Sequence, residues 1–559
     1  MEERIRKAVE EGLVQLGASD VSFAVEWPAD LKHGDYAVNA ALAASKQLGK
    51  STREIAEALA PYITEALGTD ASRIEIAGPG FVNITLSAQA LSTTVSEAIE
   101  AKEGWGKNTR KEGKSTMVEY GNPNPFKEMH VGHLVGTIIG ESLSRLSEFE
   151  SFNVLRDTFG GDVGPHVAKA LWAFQKNGVT DIASPAEVGK AYIQGANAYE
   201  ESEAAKAEID ALNVRIYDLV DRQNEVGTFS EEERAFIYLW QKGREVTMEE
   251  FERIFAILGT HHDYTFFDSD TTKPGLEVVR DSVVRGILKE SEGAIIYPGE
   301  EKGLHTLVFV TSRGTPTYET KDIGLAFLKE MRNPTDEVVI LTSIEQQGHF
   351  KVVLAALAEI APTLAAKMQH ASHGLLTLTT GKMASRKGNI ITASGLIQEL
   401  IERASERNAD PIIAQQVAVA ALKYMILRSA PGGNIVFDSE KSLSLDGDSG
   451  PYLQYALVRA RSILAKATTQ DVEPISEQYA LARLIARFPG TVQKAQDLKG
   501  PHVLAQYLTQ LASEWNSFYA NTRIIGEVDE AAKLGLVQAF ATTMQNGLWL
   551  LGIPAPSEM

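Results

Sequence analysis

The stretch Glu119–Gly140, which reads EYGNPNPFKEMHVGHLVGTIIG, predicts a strand that turns sharply into a helix. Pro123 and Pro125 cannot lie in a central strand or in a helix interior, so they mark the turn. After the turn, apolar residues recur on one helical face, at Val131, Leu134, Val135 and Ile138. The segment His130–His133, HVGH, therefore lies where the turn becomes the helix.

The start of such a helix is suited to binding an anion. Its first N–H groups have no acceptor within the helix, and the helix dipole places partial positive charge there. Gly132 would let a flat or charged ligand approach the backbone, and His130 and His133 can donate hydrogen bonds to phosphoryl oxygens. The competing interpretation of HVGH alone is a strand–turn–helix with two incidental histidines.

A second stretch, GKMASRKGN at Gly381–Asn389, predicts a basic loop. Taken alone, such a loop is more typical of a solvated surface. The order of the two motifs is far more specific than either motif. An HxGH segment after the first strand of a sheet and a KMSxS-like loop after its last strand resemble the class I aminoacyl-tRNA synthetases.

Within that class, the chain resembles the arginyl-tRNA synthetases along essentially its whole length. The segments that carry the resemblance are Asn122–Glu128 before HxGH, Tyr318 and Asp322 in a YxxxD motif, Gln346 and His349 in a QxxHF motif, Gly78–Ser87, and Gly450–Leu464. The resemblance implies ATP-dependent ligation of L-arginine to tRNA(Arg) through an arginyl-adenylate, with ATP accompanied by Mg²⁺. It implies no metal site on the protein itself.

The resemblance also assigns roles to individual residues. The expected catalytic residues are His130, His133, Lys127 and Lys382. The expected ATP-binding residues are His130, Gly132, His133, Lys382, Met383 and Lys387. The expected arginine-binding residues are Glu119, Asn124, Tyr318, Asp322 and Gln346. Contacts with tRNA are expected at Phe81, Asn83, Tyr455, Arg459 and Arg461.

Some residues depart from the family pattern. Ala384 replaces a serine of the basic loop, and Ser385 stands where a second lysine is usual. Family members without that lysine use one just before HxGH, where Lys127 stands. Asn122 and Val135 replace a usual serine and arginine, which leaves the fine geometry of the site open.

The YxxxD pair is chemically suited to arginine. Guanidinium is always charged and fork-shaped, so it requires a carboxylate in planar pairing. Tyr318 and Asp322 are four residues apart, which places a hydroxyl and a carboxylate on one face of a helix. Without the flanking motifs, the pair would be typical of an ordinary helix surface.

Periodicity and the resemblance together predict an α/β protein with three parts, and the resemblance implies the catalytic and anticodon-binding roles of the second and third. Residues 1–110 are expected to form a small α+β domain, with strands at Ile74–Ile76 and Phe81–Leu86. Residues 111–425 are expected to form a Rossmann-like catalytic domain with a parallel sheet and an insertion at about 175–300. Its later strands are predicted at Ala294–Tyr297, Thr306–Val310 and Val338–Leu341. Residues 426–559 are expected to form an all-α anticodon-binding bundle.

Composition narrows the class of protein less than the motifs do. The chain has 559 residues, no cysteine and a net charge of −20, which argues against broad non-specific binding to nucleic acids but not against binding by local basic patches. No DNA partner is expected. Absence of cysteine is consistent with a reducing cytoplasm, and the charged N-terminus is unlike a signal peptide. We expect a cytoplasmic monomer without a membrane segment. Alternatives are a catalytically weakened tRNA-binding paralogue, a class I synthetase for another amino acid, and a small nucleotidyltransferase.

Overall fold

The computed structural model describes residues 1–222, 229–379, 392–467, 469 and 471–559. The N-terminal unit has a four-stranded antiparallel sheet of order β1-β2-β4-β3. In chain order its elements are α1 Glu2–Leu16, β1 Val25–Glu26, β2 Tyr36–Val38, α2 Ala40–Leu48, α3 Thr52–Leu67, β3 Ala71–Ala77, β4 Phe81–Leu86 and α4 Ala88–Ala101. Both predicted strands are confirmed, as β3 and β4. Alternate residues of β4 are buried, which is the period of a half-buried strand.

The middle of the chain alternates strands and helices around one sheet. It begins with β5 Ser115–Glu119, α5 Val131–Phe149 and β6 Asn153–Gly160, followed by four helices with their own apolar core, α6 Pro165–Lys176, α7 Pro185–Glu201, α8 Glu203–Asp221 and α9 Glu231–Ile257. The elements that follow are β7 Tyr264–Phe267, α10 Asp268–Val284, β8 Lys289–Ser291, β9 Ala294–Tyr297, β10 Leu307–Val310, α11 Tyr318–Arg332, β11 Glu337–Ser343, α12 Gln347–Ile360, α13 Pro362–Ala365 and β12 Met368–His373.

The central sheet has the strand order β12-β11-β5-β6-β7, and every neighbouring pair is parallel. The chain starts at β5, moves outward through β6 to β7, and then returns to the other side of β5. The topological switch point therefore lies between β5 and β11. Ligands of such sheets bind outside the carboxyl ends of the strands at this point.

Two strands predicted to return to the parallel sheet do not do so. β9 and β10 form a separate antiparallel sheet with β8, so that part of the prediction is wrong. Residues 292 and 293 join β8 to β9 with positive φ angles of 50° and 80°. A two-residue turn of this kind makes a hairpin, whereas parallel strands need a long crossover. In contrast, β7 pairs with the parallel sheet although it lies within the range expected for the insertion.

The C-terminal part is mainly helical. A short parallel pair, β13 Leu376–Leu378 and β14 Ile435–Phe437, lies beside α14 Ala393–Ser405, α15 Pro411–Leu427 and α16 Ser439–Ser442. The bundle that follows contains α17 Gly450–Ala465, α18 Ala480–Ile485, α19 Phe488–Asp497, α20 Pro501–Asn521 and α21 Glu530–Leu550.

The N-terminal unit is attached directly to this bundle. Arg483 Nε lies 2.6 Å from Asp35 Oδ1, and Trp105 Nε1 donates to Thr543 Oγ1 at 3.1 Å. One apolar core runs through the N-terminal unit, α5 and the bundle. In the described ranges we find no helix with the length and apolar character needed to span a bilayer.

Candidate active site

A cavity of about 680 Å³ opens at the carboxyl ends of the central strands, around the switch point. Its walls combine the turn after β5, the start of α5, the start of α11 and the segments after β11 and β12. The predicted site residues on these walls are Glu119, Asn124, His130, Gly132, His133, Tyr318, Asp322 and Gln346. Tertiary folding therefore brings together residues separated by more than 200 positions.

The two histidines of HxGH are held as hydrogen-bond donors. His130 is the N-cap residue of α5, and its Nδ1 accepts from the N–H of Gly132 at 3.1 Å. His133 Nδ1 accepts from the N–H of His130 at 3.4 Å, and the two rings stack with centroids 3.7 Å apart. Because each Nδ1 accepts, a neutral ring carries its proton on Nε2.

Burial keeps these rings neutral. It lowers the pKa of His130, and the charge of Lys127 lowers it further. The pKa of His133 falls well below its usual value through burial, and then through His130, Lys127 and His373. A Cβ at position 132 would lie 2.9 Å from Cε1 of His130, so a larger residue there would displace the imidazole.

Lys127 lies next to this pair but not on the same wall. Its ammonium stands 5.3 Å from the ring centroid of Tyr192 and faces an adjoining cavity of about 260 Å³. Burial lowers the pKa of Lys127, and nearby Lys169 adds to the effect. The other cation and backbone contacts expected for ATP, at Lys382, Met383 and Lys387, lie outside the described residues.

The opposite wall carries the predicted arginine-binding pair. Tyr318 and Asp322 lie one turn apart at the start of α11, with Tyr318 largely exposed at the rim and Asp322 inside. Asp322 Oδ2 is 2.5 Å from Nε2 of His349, whose Nδ1 faces Glu319 at 3.4 Å. Burial by itself lowers the pKa of His349, yet the contacts with Asp322 and Glu319 raise it to about 10. The carboxylate therefore already has a cationic neighbour.

The floor of the cavity is formed by the tips of β5 and β6. Glu119 is buried, and its Oε1 accepts from Nδ2 of Asn122 at 2.9 Å. The amide oxygen of Asn122 accepts from the N–H of Phe159 at 3.0 Å, so the residue that replaces the usual serine links the two strands. Asn124 Oδ1 accepts from the N–H of Gly161 at 2.8 Å.

Four charged residues of the site were not identified from the sequence. The sequence indicated His349 only as part of the QxxHF motif, and it did not single out Asp268, which follows β7 in the structure. Asp268 Oδ2 lies 2.6 Å from Nζ of Lys321, and burial raises the pKa of this carboxyl to about 6. Lys329 lies 2.5 Å from Glu119 Oε2. A signal for Lys329 was available, since it lies seven residues after Asp322 on the same helix.

The residues expected to contact tRNA are of two kinds. Phe81 and Asn83 are half-buried on the outer face of β4. The guanidinium of Arg459 stacks on the ring of Tyr455 at 4.5 Å and on that of Tyr519 at 5.2 Å. Arg461 is engaged within the fold, because its guanidinium donates to the carbonyl oxygen of Pro556 at 2.9 Å and to the side chain of Gln545.

The carboxylates around the cavity are the side chains that could bind a metal ion directly. Across the described part of the chain, no group of three or more His, Asp or Glu side chains is arranged to hold a metal ion. Asp322 and Asp268 are instead paired with His349 and Lys321. Buried carboxylates with cationic partners suit an organic cation better than a hard metal ion, which requires several unshared oxygens.

Comparison with known proteins gives a consistent picture. The family model for "tRNA synthetases class I (R), catalytic domain" matches residues 94–438. Models for the arginyl-tRNA synthetase N-terminal domain and the DALR anticodon-binding domain match residues 1–86 and 453–559.

Full-length relatives agree with the family models. The arginine–tRNA ligase of Treponema pallidum is 31% identical, covering 96% of this chain and 94% of that protein. The arginine–tRNA ligase of Lactobacillus delbrueckii subsp. bulgaricus is 29% identical, covering 99% of each. The solved arginyl-tRNA synthetase of Thermus thermophilus is 26% identical, with a TM-score of 0.81 and full coverage of both chains.

The His349–Asp322 contact predicts an unusual titration. Selective ¹⁵N labelling of histidine should show His349 protonated through neutral pH and titrating near pH 10. In Asp322→Asn the pKa should fall sharply, because burial then opposes the charge with only Glu319 to support it. A His349 resonance that titrates near pH 6.5, the ordinary value for histidine, in the unmodified protein would contradict the pairing.

Proposed function

This chain belongs to the arginyl-tRNA synthetases of class I, and we propose that it joins L-arginine to tRNA(Arg) in two steps. In the first, the carboxylate of arginine attacks the α-phosphorus of ATP, which gives arginyl-adenylate and releases pyrophosphate. In the second, the 2′- or 3′-hydroxyl of the terminal adenosine attacks the arginyl carbonyl and releases AMP.

The observation that carries this proposal is the division of one cavity into two chemical halves. One half has the neutral histidines of HxGH at a helix start. The other half has two buried carboxylates, Glu119 and Asp322. Arginine has a cation at each end, an α-ammonium and a guanidinium. A carboxylate on the floor, Glu119, and one on the wall, Asp322, match that charge pattern, and the phosphates belong beside the histidines.

At the ATP end, the protein mainly positions groups and supplies hydrogen-bond donors. Nε2–H of His130 and of His133 serve the α-phosphate, where negative charge develops during attack. As neutral donors they need no change of protonation to act. Lys127 and Lys382 serve the leaving pyrophosphate as fixed positive charges. Mg²⁺ enters bound to the phosphates of ATP, where it supplies further charge neutralisation.

At the arginine end, Asp322 binds the guanidinium and Tyr318 closes over it from the rim. Asp268, on the same cavity wall, adds negative charge at this end. Glu119 takes the α-ammonium, with Asn124 and Gln346 nearby. This orientation leaves the carboxylate of arginine free to face the α-phosphorus. A near-attack geometry of this kind removes much of the entropic barrier to a reaction between two substrates.

His349 favours the ionised form of Asp322, which is the form that binds the substrate. Burial raises the pKa of Asp322, which favours the protonated form, and the hydrogen bond from His349 opposes this. An ionised carboxylate is what guanidinium requires. One oxygen of Asp322 stays with the imidazolium, so the other oxygen is available to the substrate.

The RNA contacts use two separate surfaces. Phe81 and Asn83 offer an accessible ring beside an amide on the N-terminal unit, a combination that suits a splayed base. The stack of Tyr455, Arg459 and Tyr519 offers cation and ring faces on the bundle. We further propose that the protein works as a cytoplasmic monomer, as its resemblance to the family implies.

The decisive test of substrate identity is Asp322→Asn, with aminoacylation of total tRNA measured for each of the twenty amino acids. The unmodified protein should charge arginine alone. Loss of one partner from a desolvated charge pair costs about 2–5 kcal/mol, so kcat/KM for arginine should fall roughly thirtyfold or more. The KM for ATP should change little.

Glu330→Gln is the matched control for that test. Glu330 lies on the same helix but pairs with Lys367 at 2.7 Å away from the cavity, so charging should be retained. Charging with a different amino acid would identify another class I synthetase. Absence of adenylate formation with tRNA present would identify a weakened tRNA-binding paralogue.

The role proposed for Lys127 predicts a large effect on adenylate formation. In Lys127→Met, the rate of adenylate formation should fall about a hundredfold, as for loss of a transition-state charge partner. Lys169→Met is the matched control, because Lys169 also stacks on a tyrosine of α7, with Nζ 4.5 Å from the ring centroid of Tyr199. Equal rates in the two variants would remove Lys127 from the catalytic group.

The RNA surface of the bundle is tested by a contrast between two neighbouring arginines. Arg459→Gln should raise the KM for tRNA about fivefold and change the melting temperature little, because it removes a half-buried cation–ring stack and no hydrogen bond within the fold. Arg461→Gln should instead lower the melting temperature by about 3 °C, since it breaks contacts within the fold. The opposite pattern would assign the RNA contact to Arg461.

A further inference from the structure

A buried cluster of three charges lies under the floor of the cavity. Nζ of Lys329 on α11 is 2.5 Å from Oε2 of Glu119 at the tip of β5 and 2.6 Å from Oδ2 of Asp157 on β6. The three side chains are at most 3% exposed. The cluster therefore joins one helix to two neighbouring strands through a single ammonium.

Such a cluster is a costly way to hold elements together. Removing three charges from water carries a desolvation penalty, and apolar residues of similar volume stabilise a fold as well or better. The lysine in this position is better explained by its effect on the orientation of its partners than by its effect on stability. Glu119 illustrates this, because Lys329 holds one of its oxygens and Asn122 holds the other. Its carboxylate is fixed in orientation while it still borders the cavity.

The helix that carries Lys329 also carries the other end of the arginine site. Tyr318 and Asp322 lie in the first turns of α11, and Lys329 follows Asp322 by seven residues, about two helical turns. An α-helix of this length is stiff. Anchoring Lys329 to the tip of β5 therefore fixes the distance between Asp322 and Glu119.

We propose that Lys329 is a positioning residue that sets the length of the amino acid accepted by the site. It holds the carboxylate for the α-ammonium, Glu119, at a fixed separation from the carboxylate for the guanidinium, Asp322. Asp157 also pairs with the ammonium of Lys329, and this second contact keeps the ammonium from moving with Glu119 toward the substrate. This inference rests on the function proposed above and adds a determinant of specificity to it.

The chemical consequence concerns homologues of arginine. Homoarginine has the same two cationic ends with one more methylene between them. A rigid separation between Glu119 and Asp322 rejects it, because only one end can pair properly. When the distance between Glu119 and Asp322 is no longer fixed, the affinity for arginine falls more than the affinity for homoarginine. Discrimination between the two amino acids therefore falls. ATP binding depends on α5 and is not affected.

The test compares kcat/KM for arginine and for homoarginine in Lys329→Met. The KM for arginine should rise about tenfold, and the arginine-to-homoarginine ratio of kcat/KM should fall about tenfold, the discrimination normally obtained from one methylene. The KM for ATP should stay within about twofold of its original value. Lys329→Arg keeps the charge and should recover part of the ratio.

Lys423→Met is the matched control for a buried lysine. Nζ of Lys423 donates to the carbonyl oxygens of Leu258 and Gly552, each at 2.6 Å, at a distance from the cavity wall. This variant should lose thermal stability and keep the arginine-to-homoarginine ratio. A ratio that falls equally in Lys423→Met would overturn the proposal, because it would reflect general loosening.

Asp157→Asn covers the case in which Lys329→Met fails to fold. It removes one anchor of the ammonium and should move the ratio in the same direction by a smaller factor. An unchanged ratio in folded Lys329 and Asp157 variants, or a parallel rise in the KM for ATP, would refute the positioning role. If Asp322→Asn leaves arginine use intact, the site assignment itself fails, which is a distinct result.

Discussion

Strand β5 pairs in parallel with a neighbour on each side, β11 and β6, and this pairing fixes where its last residue emerges. Glu119 is that last residue, and the turn that follows delivers HxGH to the start of α5. Because both ladders hold β5, the main chain at Glu119 cannot shift without breaking main-chain hydrogen bonds. The amino-acid end and the phosphate end of the cavity therefore share one rigid origin.

Electrostatics then separates the two ends. On the phosphate side, burial lowers the pKa of the histidines and of Lys127, so the rings act as neutral donors beside one cation. On the amino-acid side, buried carboxylates are kept ionised by cations from α11 and α12. Asp322 pairs with His349, and Asp268 with Lys321. The cavity therefore has carboxylates on one side and neutral imidazoles on the other.

Helix α5 also connects the phosphate end to the C-terminal bundle. Its first turn carries HxGH, while its middle binds the carbonyl groups at the end of α21. Ser142 Oγ donates to Leu550 O at 2.9 Å, and Arg145 Nη1 donates to Trp549 O at 2.8 Å. The bundle and the catalytic domain are thus joined through the same helix that presents the histidines. A change in the packing of the bundle would therefore act on α5 through these two hydrogen bonds.

Much of the site could be predicted from the sequence, because its motifs are local. HxGH, the strand β5, the strand β4 and the one-turn spacing of Tyr318 and Asp322 depend on neighbours within a few residues. The two motifs also indicated a parallel sheet, and local periodicity indicated a helical C-terminal part. It failed for β9 and β10, where the signal was a two-residue turn with positive φ at Glu292 and Gly293 rather than the strand pattern.

What only the tertiary structure decided is which charges meet. Lys329 reaches Glu119 across 210 positions of sequence, and His349 reaches Asp322 across 27. A helical period indicates the face on which a lysine lies, but the partner is set by which strand tip that face covers. The same holds for Arg461, which a basic sequence pattern cannot distinguish from Arg459. The sequence by itself determined the motif residues of the site and their local geometry. Three-dimensional packing determined their charged partners, because buried charges are satisfied by contacts between distant elements.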